Sequence, residues 1–95
     1  VVQLREKEIE AKLKKEVEKV GGLALKFISP GVAGVPDRIV LLPYKVIAFV
    51  ELKAPGEQLR PLQLKRKKQL EKLGFKVYVI DTIQALDVFL GEMMG

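Results

Sequence analysis

Val35-Pro36-Asp37-Arg38-Ile39-Val40-Leu41-Leu42, then Pro43-Tyr44-Lys45, then Val46-Ile47-Ala48-Phe49-Val50-Glu51-Leu52-Lys53 is the stretch around which the chain is organised. The two apolar runs carry the β-branched and aromatic residues of strands, and the three residues between them predict a hairpin turn. A turn of those three residues sets Asp37 directly opposite Glu51; a two-residue turn would not. Cross-strand neighbours have Cβ atoms about 5 Å apart, and like charges in that position destabilise a sheet. Lys53 follows Glu51 by two residues, so the strand period puts its ammonium on the same face. A divalent cation between the carboxylates would compensate better, since Mg²⁺ is held by one or two carboxylates with waters and substrate phosphates. The plainer alternative is a salt-bridged strand end, because Glu-x-Lys also arises by chance.

Both hairpin strands are apolar on both faces, with Ile39, Leu41, Ile47 and Phe49 on one and Val40, Leu42, Ala48 and Val50 on the other. That pattern predicts central strands of a layered α/β structure with helices packed on each face. Upstream, residues 4–20 predict an amphipathic helix, with Val2, Ile9, Leu13, Val17 and Val20 at helical spacing and Gly21-Gly22 as its stop. On this helix Glu6 falls within the apolar stripe, Glu10 on its flank, and Glu8 points away; acidic residues in a first turn also simply favour the helix dipole. Residues 23–29 predict a strand carrying Lys26, either as an edge-strand charge or as a partner for a phosphate or carboxylate. The loop Ser29-Pro30-Gly31-Val32-Ala33-Gly34 reads as a plain connection.

Downstream of Ala54-Pro55-Gly56, Pro61 opens a predicted helix running to about Leu73 and closed by Gly74. Its inward stripe is Leu59, Leu62, Leu70 and Leu73, and Gln63 and Arg66 fall inside it, unless they reach out from its edge. Lys65, Lys67, Lys68 and Lys72 spread over the other faces. That is usual for a solvated surface and also suits a phosphate backbone. Residues 75–80 form a further strand, Asp81-Thr82-Ile83-Gln84 resembles a capping box, and Ile83, Leu86, Phe89, Leu90 and Met93 line a last helix. The order is α-β-β-β-α-β-α around a mixed four-stranded sheet. No repeat, low-complexity run or linker divides residues 1–95, so a single domain is expected.

Composition narrows the chemistry. Ninety-five residues support one modest core, so any site is shallow or completed by a second subunit. A net charge of +5 favours an anionic partner such as nucleic acid or an acidic membrane surface. The chain has no Cys and no His, which excludes thiolate metal sites, zinc hydrolases and histidine-dependent nucleases. Carboxylates and lysines are left to do the work. No apolar run approaches the roughly 20 residues of a membrane span, so the expectation is a soluble, intracellular protein.

Gly34-Val35-Pro36-Asp37, Phe49-Val50-Glu51-Leu52-Lys53 and Gln63 together resemble the PD-(D/E)xK nuclease superfamily, and most closely its VRR-NUC (virus-type replication-repair nuclease) family. The likeness covers nearly the whole chain and implies a restriction-endonuclease-like αβββαβα core. It implies a metal-dependent endonuclease acting on DNA, with Mg²⁺ or Mn²⁺ held by Asp37, Glu51 and the Leu52 carbonyl and with Lys53 at the reacting phosphate. A first-helix Glu supports the metal in the family, which selects Glu6 first and Glu10 second. Gln63 would orient Lys53 or the attacked phosphate, and Lys26, Arg60, Lys65, Arg66, Lys67 and Lys68 would contact DNA. The resemblance further implies 5′-phosphate products, homodimers acting on branched DNA such as Holliday junctions, and the cytoplasm of a prokaryotic or phage-infected cell. The alternatives are a non-catalytic DNA-binding module on the same fold and a nuclease of flaps or linear DNA.

Overall fold

The computed structural model describes the backbone of residues 2–94 and the side chains of residues 6–94; the placing of the Val2 side chain on the first helical stripe lies outside these. The elements are α1 (Val2–Lys19), β1 (Leu23–Lys26), β2 (Arg38–Leu42), β3 (Val46–Leu52), α2 (Pro61–Lys72), β4 (Lys76–Ile80) and α3 (Ile83–Met94). The strands form one sheet in the order β1-β2-β3-β4, antiparallel except for the parallel pair β3–β4 that α2 connects. This is the expected element order and a mixed α/β, restriction-endonuclease-like sheet.

The hairpin has the expected register: Leu42 pairs with Val46 across the turn, and the ladder runs to Arg38 opposite Val50. Asp37 and Glu51 occupy the next positions along, just beyond the paired ladder. The turn places both Tyr44 (φ 66°) and Lys45 (φ 64°) in the left-handed region, which disfavours such side chains and costs of order 1 kcal/mol each. Strands β1 and β2 are shorter than the apolar runs suggested. Pro36 has no N–H to donate and Gly34 turns the chain at φ +83°, so regular pairing starts only at Arg38. One bond, Phe27 N–H to the Asp37 carbonyl (2.9 Å), extends the β1–β2 contact beyond the ladder.

Alternation sorts the sheet into two unequal faces. Ala24, Val40, Leu42, Ala48, Val50, Leu52 and Ile80 are buried under Ile9, Leu13 and Val17 of α1 and Leu86 and Phe89 of α3. Thr82 Oγ1 accepts the Ala85 N–H (3.0 Å) and caps α3. Gly22 lets α1 turn tightly into β1, because a Cβ there would stand 2.5 Å from the Leu41 carbonyl oxygen.

The opposite face is only partly covered, contrary to the expectation of helices packed equally on both. No residue of α2 is buried: Leu62 is 51% and Leu73 73% exposed, so the expected inward stripe of Leu59, Leu62, Leu70 and Leu73 does not seal the sheet. The helix lies toward β4, where Val77 is buried, and the uncovered side chains Leu23, Leu25 and Ile47 belong to β1 and the outer part of β3.

Candidate active site

The strand ends that carry Asp37 and Glu51 open into a cleft of about 480 Å³. Strand alternation puts Asp37, Glu51 and Lys53 on the α2 face and Lys26 and Arg38 on the α1 face, and at the sheet margin both sets line this cleft. The Asp37 Oδ2 accepts the Leu52 backbone N–H at 2.8 Å, which draws its carboxylate across to β3. Glu51 is 3% and Lys53 8% exposed; the Lys53 N–H donates to the Ile80 carbonyl (3.0 Å), carrying the β3–β4 pairing one residue past the strand. Phe27 lines the cleft beside them and begins a chain of aromatic contacts through Phe49 to Phe75, with centroids 5.8 and 5.6 Å apart, that runs away from the carboxylates along the same sheet face.

Burial, the hydrogen bond to the Asp37 carboxyl and the Asp37 charge push the Glu51 carboxyl up to about 8, against the opposing pull of Lys53. Without a cation the pair therefore holds a proton at neutral pH, the behaviour of carboxylates that cannot both ionise at close range. The donor chemistry fits a hard divalent ion: oxygen ligands, one buried, with high affinity for a positive charge and neither thiolate nor imidazole present. Among the described residues no group of three or more acidic, His or Cys side chains converges. Two carboxylates and the Leu52 carbonyl would thus leave the remaining positions to water and phosphate, as Mg²⁺ prefers.

The other expected residues separate into those at the cleft and those away from it. Glu6 and Glu10 both line it, and Glu10 is engaged by Arg38, with Nη2 3.3 Å from Oε1. Gln63 lines it as well, with its Oε1 accepting the Arg60 N–H (2.9 Å) at the start of α2. Lys26 and Arg60 are cationic walls. Arg66 is not among the cleft-lining residues; it donates from Nε to the Ala33 carbonyl (2.9 Å) and from Nη1 to Gln69, fastening the loop before Asp37 to α2. Lys67 pairs with Glu71 (3.0 Å), one helical turn on, while Lys65 and Lys68 are exposed. Gly34 permits that loop to close, since a Cβ would stand 2.4 Å from the Leu62 carbonyl oxygen.

Two charged cleft residues, Arg38 and Glu57, were not anticipated. Arg38 is 8% exposed and joins Glu10 to the Ala24 carbonyl, its Nη1 donating at 3.0 Å. Its signal was a lone charge at the first position of an apolar strand. Glu57 accepts the Ala54 N–H (3.0 Å) and closes the loop after β3, a turn foreshadowed by Ala54-Pro55-Gly56.

Comparison with known proteins agrees with this geometry. No family model matches the chain. A protein of Acyrthosiphon pisum secondary endosymbiont phage 1, named "Putative nuclease p44", is 53% identical over 79 residues, covering 83% of this chain and 85% of the phage protein. A solved structure described as a VRR_NUC domain superimposes with a TM-score of 0.85 at 33% identity, covering 96% of this chain and 98% of that one. With fold, cleft and relatives in agreement, the chain belongs to the VRR-NUC family of nucleases.

Proposed function

We propose that the protein is a metal-dependent endonuclease that hydrolyses phosphodiester bonds in DNA. The observation that carries the reading is the meeting of the Asp37 and Glu51 carboxyls with the buried Lys53 beside them. Asp37, Glu51 and the Leu52 carbonyl would hold Mg²⁺ or Mn²⁺, which polarises the phosphate and lowers the pKa of a bound water. Lys53, fixed by β4, positions that water or stabilises the charge growing on the phosphate oxygens, in a niche where burial strengthens its field. Gln63 stands at the start of α2 to orient the substrate. Lys26 and Arg60 on the cleft walls, with Lys65 and Lys68 on α2, provide the phosphate contacts.

Branched DNA, such as a Holliday junction, and a homodimer complete the reading. A shallow cleft at one end of a small domain suits a site used in pairs, and closed two-fold assemblies are the commonest oligomers. Support also comes from the half-uncovered apolar sheet face. Labelled four-way junction, flap, duplex and single-stranded DNA, incubated with Mg²⁺, Mn²⁺ or chelator, test the proposal. Cleavage should require metal and disappear in Glu51→Gln and Lys53→Ala; cleavage that persists in chelator would overturn it.

A further inference from the structure

Asp37 is placed where its neighbour Glu51 repels it once both carboxyls are ionised. The chain reaches it through Gly34 at φ +83°, in a loop that Arg66 ties to α2, and through the fully buried Pro36, which offers no N–H, so no backbone N–H of the residue just before Asp37 can pair with a neighbouring strand. Beyond the sheet ladder, the bond from Phe27 N–H to its carbonyl and the bond from Leu52 N–H to its carboxylate hold it. The residue immediately after it is fastened more firmly. Arg38 points to the opposite face, buried, with one amino group on the Ala24 carbonyl of β1 at 3.0 Å and the other 3.3 Å from the Glu10 carboxylate of α1. A guanidinium can reach two such partners in diverging directions because its donors form a rigid fork; an ammonium on a similar stem is a single point.

We propose that Arg38, held by Glu10 and the Ala24 carbonyl, is a positioning residue that anchors the start of β2 and thereby keeps the Asp37 carboxylate facing Glu51. Glu10 then serves as the counter-ion that makes burying this guanidinium tolerable, because a buried charge without its partner is strongly destabilising. The pair couples α1 to the site through the backbone of one strand residue. The inference rests on the reading of Asp37 and Glu51 as holders of a shared ion, and it assigns Arg38 no contact with that ion.

A double-mutant cycle tests it on the whole chain. Mn²⁺ affinity is measured by calorimetry for wild type, Arg38→Met, Asp37→Asn and the double variant. Residues that orient metal ligands typically alter affinity at least tenfold, so Arg38→Met should weaken Mn²⁺ binding by roughly that factor. It should cause no further loss once Asp37 is already Asn. Arg38→Lys should bind nearly as poorly as Arg38→Met, and Glu10→Gln, which keeps an acceptor, should lie between these and wild type. If Arg38→Met does not fold, these last two variants carry the test.

The same cycle read as melting temperature in chelator removes the metal from the question. At a pH high enough to ionise both carboxyls, Asp37→Asn should raise the melting point in the wild-type background by relieving repulsion, and that gain should shrink when Arg38 is Met. A lowered melting point with unchanged Mn²⁺ affinity would make Arg38 merely structural and overturn the proposal. If wild type binds no Mn²⁺, the shared-ion reading fails, and the chelator cycle still decides: an equal gain in both backgrounds overturns the positioning role.

Discussion

Glu51 is the residue whose chemistry changes most on folding. Its carboxyl rises from 4.5 to about 8, chiefly through burial and then through Asp37, so between those values the folded chain keeps a proton that the unfolded chain has lost. Stability depends on pH through that difference in bound protons, and here it is fully present below about pH 4.5 and lost as pH rises through about 8. In chelator, thermal melts should therefore show the protein weakening across this window, by an amount on the order of a few kcal/mol. Glu51→Gln should flatten that dependence; an unchanged profile would show that the carboxyl is not the source. A bound cation reverses the preference, so Mg²⁺ or Mn²⁺ affinity should rise with pH over the same range as the proton is displaced. The opposed carboxylates were legible because turn length and the strand period of two fix which residues face each other. Arg38 was not, since pairing of a buried strand charge with a helix far away in sequence is a tertiary fact that local pattern does not contain.

Among the elements, α2 and the loop before β2 act together. Arg66 and Gly34 join them, and Gly34→Ala combines an unfavourable φ with a backbone collision, so it should destabilise the chain by at least about 1 kcal/mol in a urea titration. Wild-type stability in that variant would show that the loop can shift freely. The exposed Lys65 and Lys68 lie three residues apart on one side of α2, whereas Lys67 has Glu71 as its partner. Replacing Lys65 and Lys68 by Gln should flatten the dependence of log DNA affinity on log salt by nearly one unit for each phosphate no longer neutralised, and Lys67→Gln should change it less. An equal effect of all three would mean that the Lys67–Glu71 pair opens on DNA. The sequence announced each helix and the hairpin through its periodicity and its Gly and Pro punctuation. It misjudged what α2 covers, because apolar spacing shows that a helix has a face without showing how much of the sheet lies beneath it. The Arg66 bond to Ala33 was not legible for the same reason: its partner is a loop carbonyl with no sequence signature.

The whole molecule has an asymmetric sheet: α1 and α3 seal one face, while the other leaves Leu23, Ile47 and Phe75, toward the end of the sheet away from the cleft, and Leu25, next to the cleft-lining Lys26, between 37% and 51% exposed. Uncovered apolar groups of this kind mark interaction surfaces, and a second copy of the chain is the partner that the two-fold reading puts there. Light scattering should then report a dimer in chelator without DNA, and Leu25→Glu with Ile47→Lys should yield a monomer; a wild-type monomer at high concentration would remove the two-fold reading. The chain's lack of cysteine gives that surface a clean second probe, since Leu25→Cys introduces a single thiol for cross-linking. None of this alters the role proposed for the cleft itself, which is to hold a cation between Asp37 and Glu51. The most direct measurement is a Mn²⁺ titration followed by electron paramagnetic resonance, which counts bound ions per chain in wild type, Asp37→Asn and Glu51→Gln. Wild type should show a Mn²⁺ site that is lost or severely weakened in each variant; full Mn²⁺ binding by both variants would contradict an ion shared by the two carboxylates.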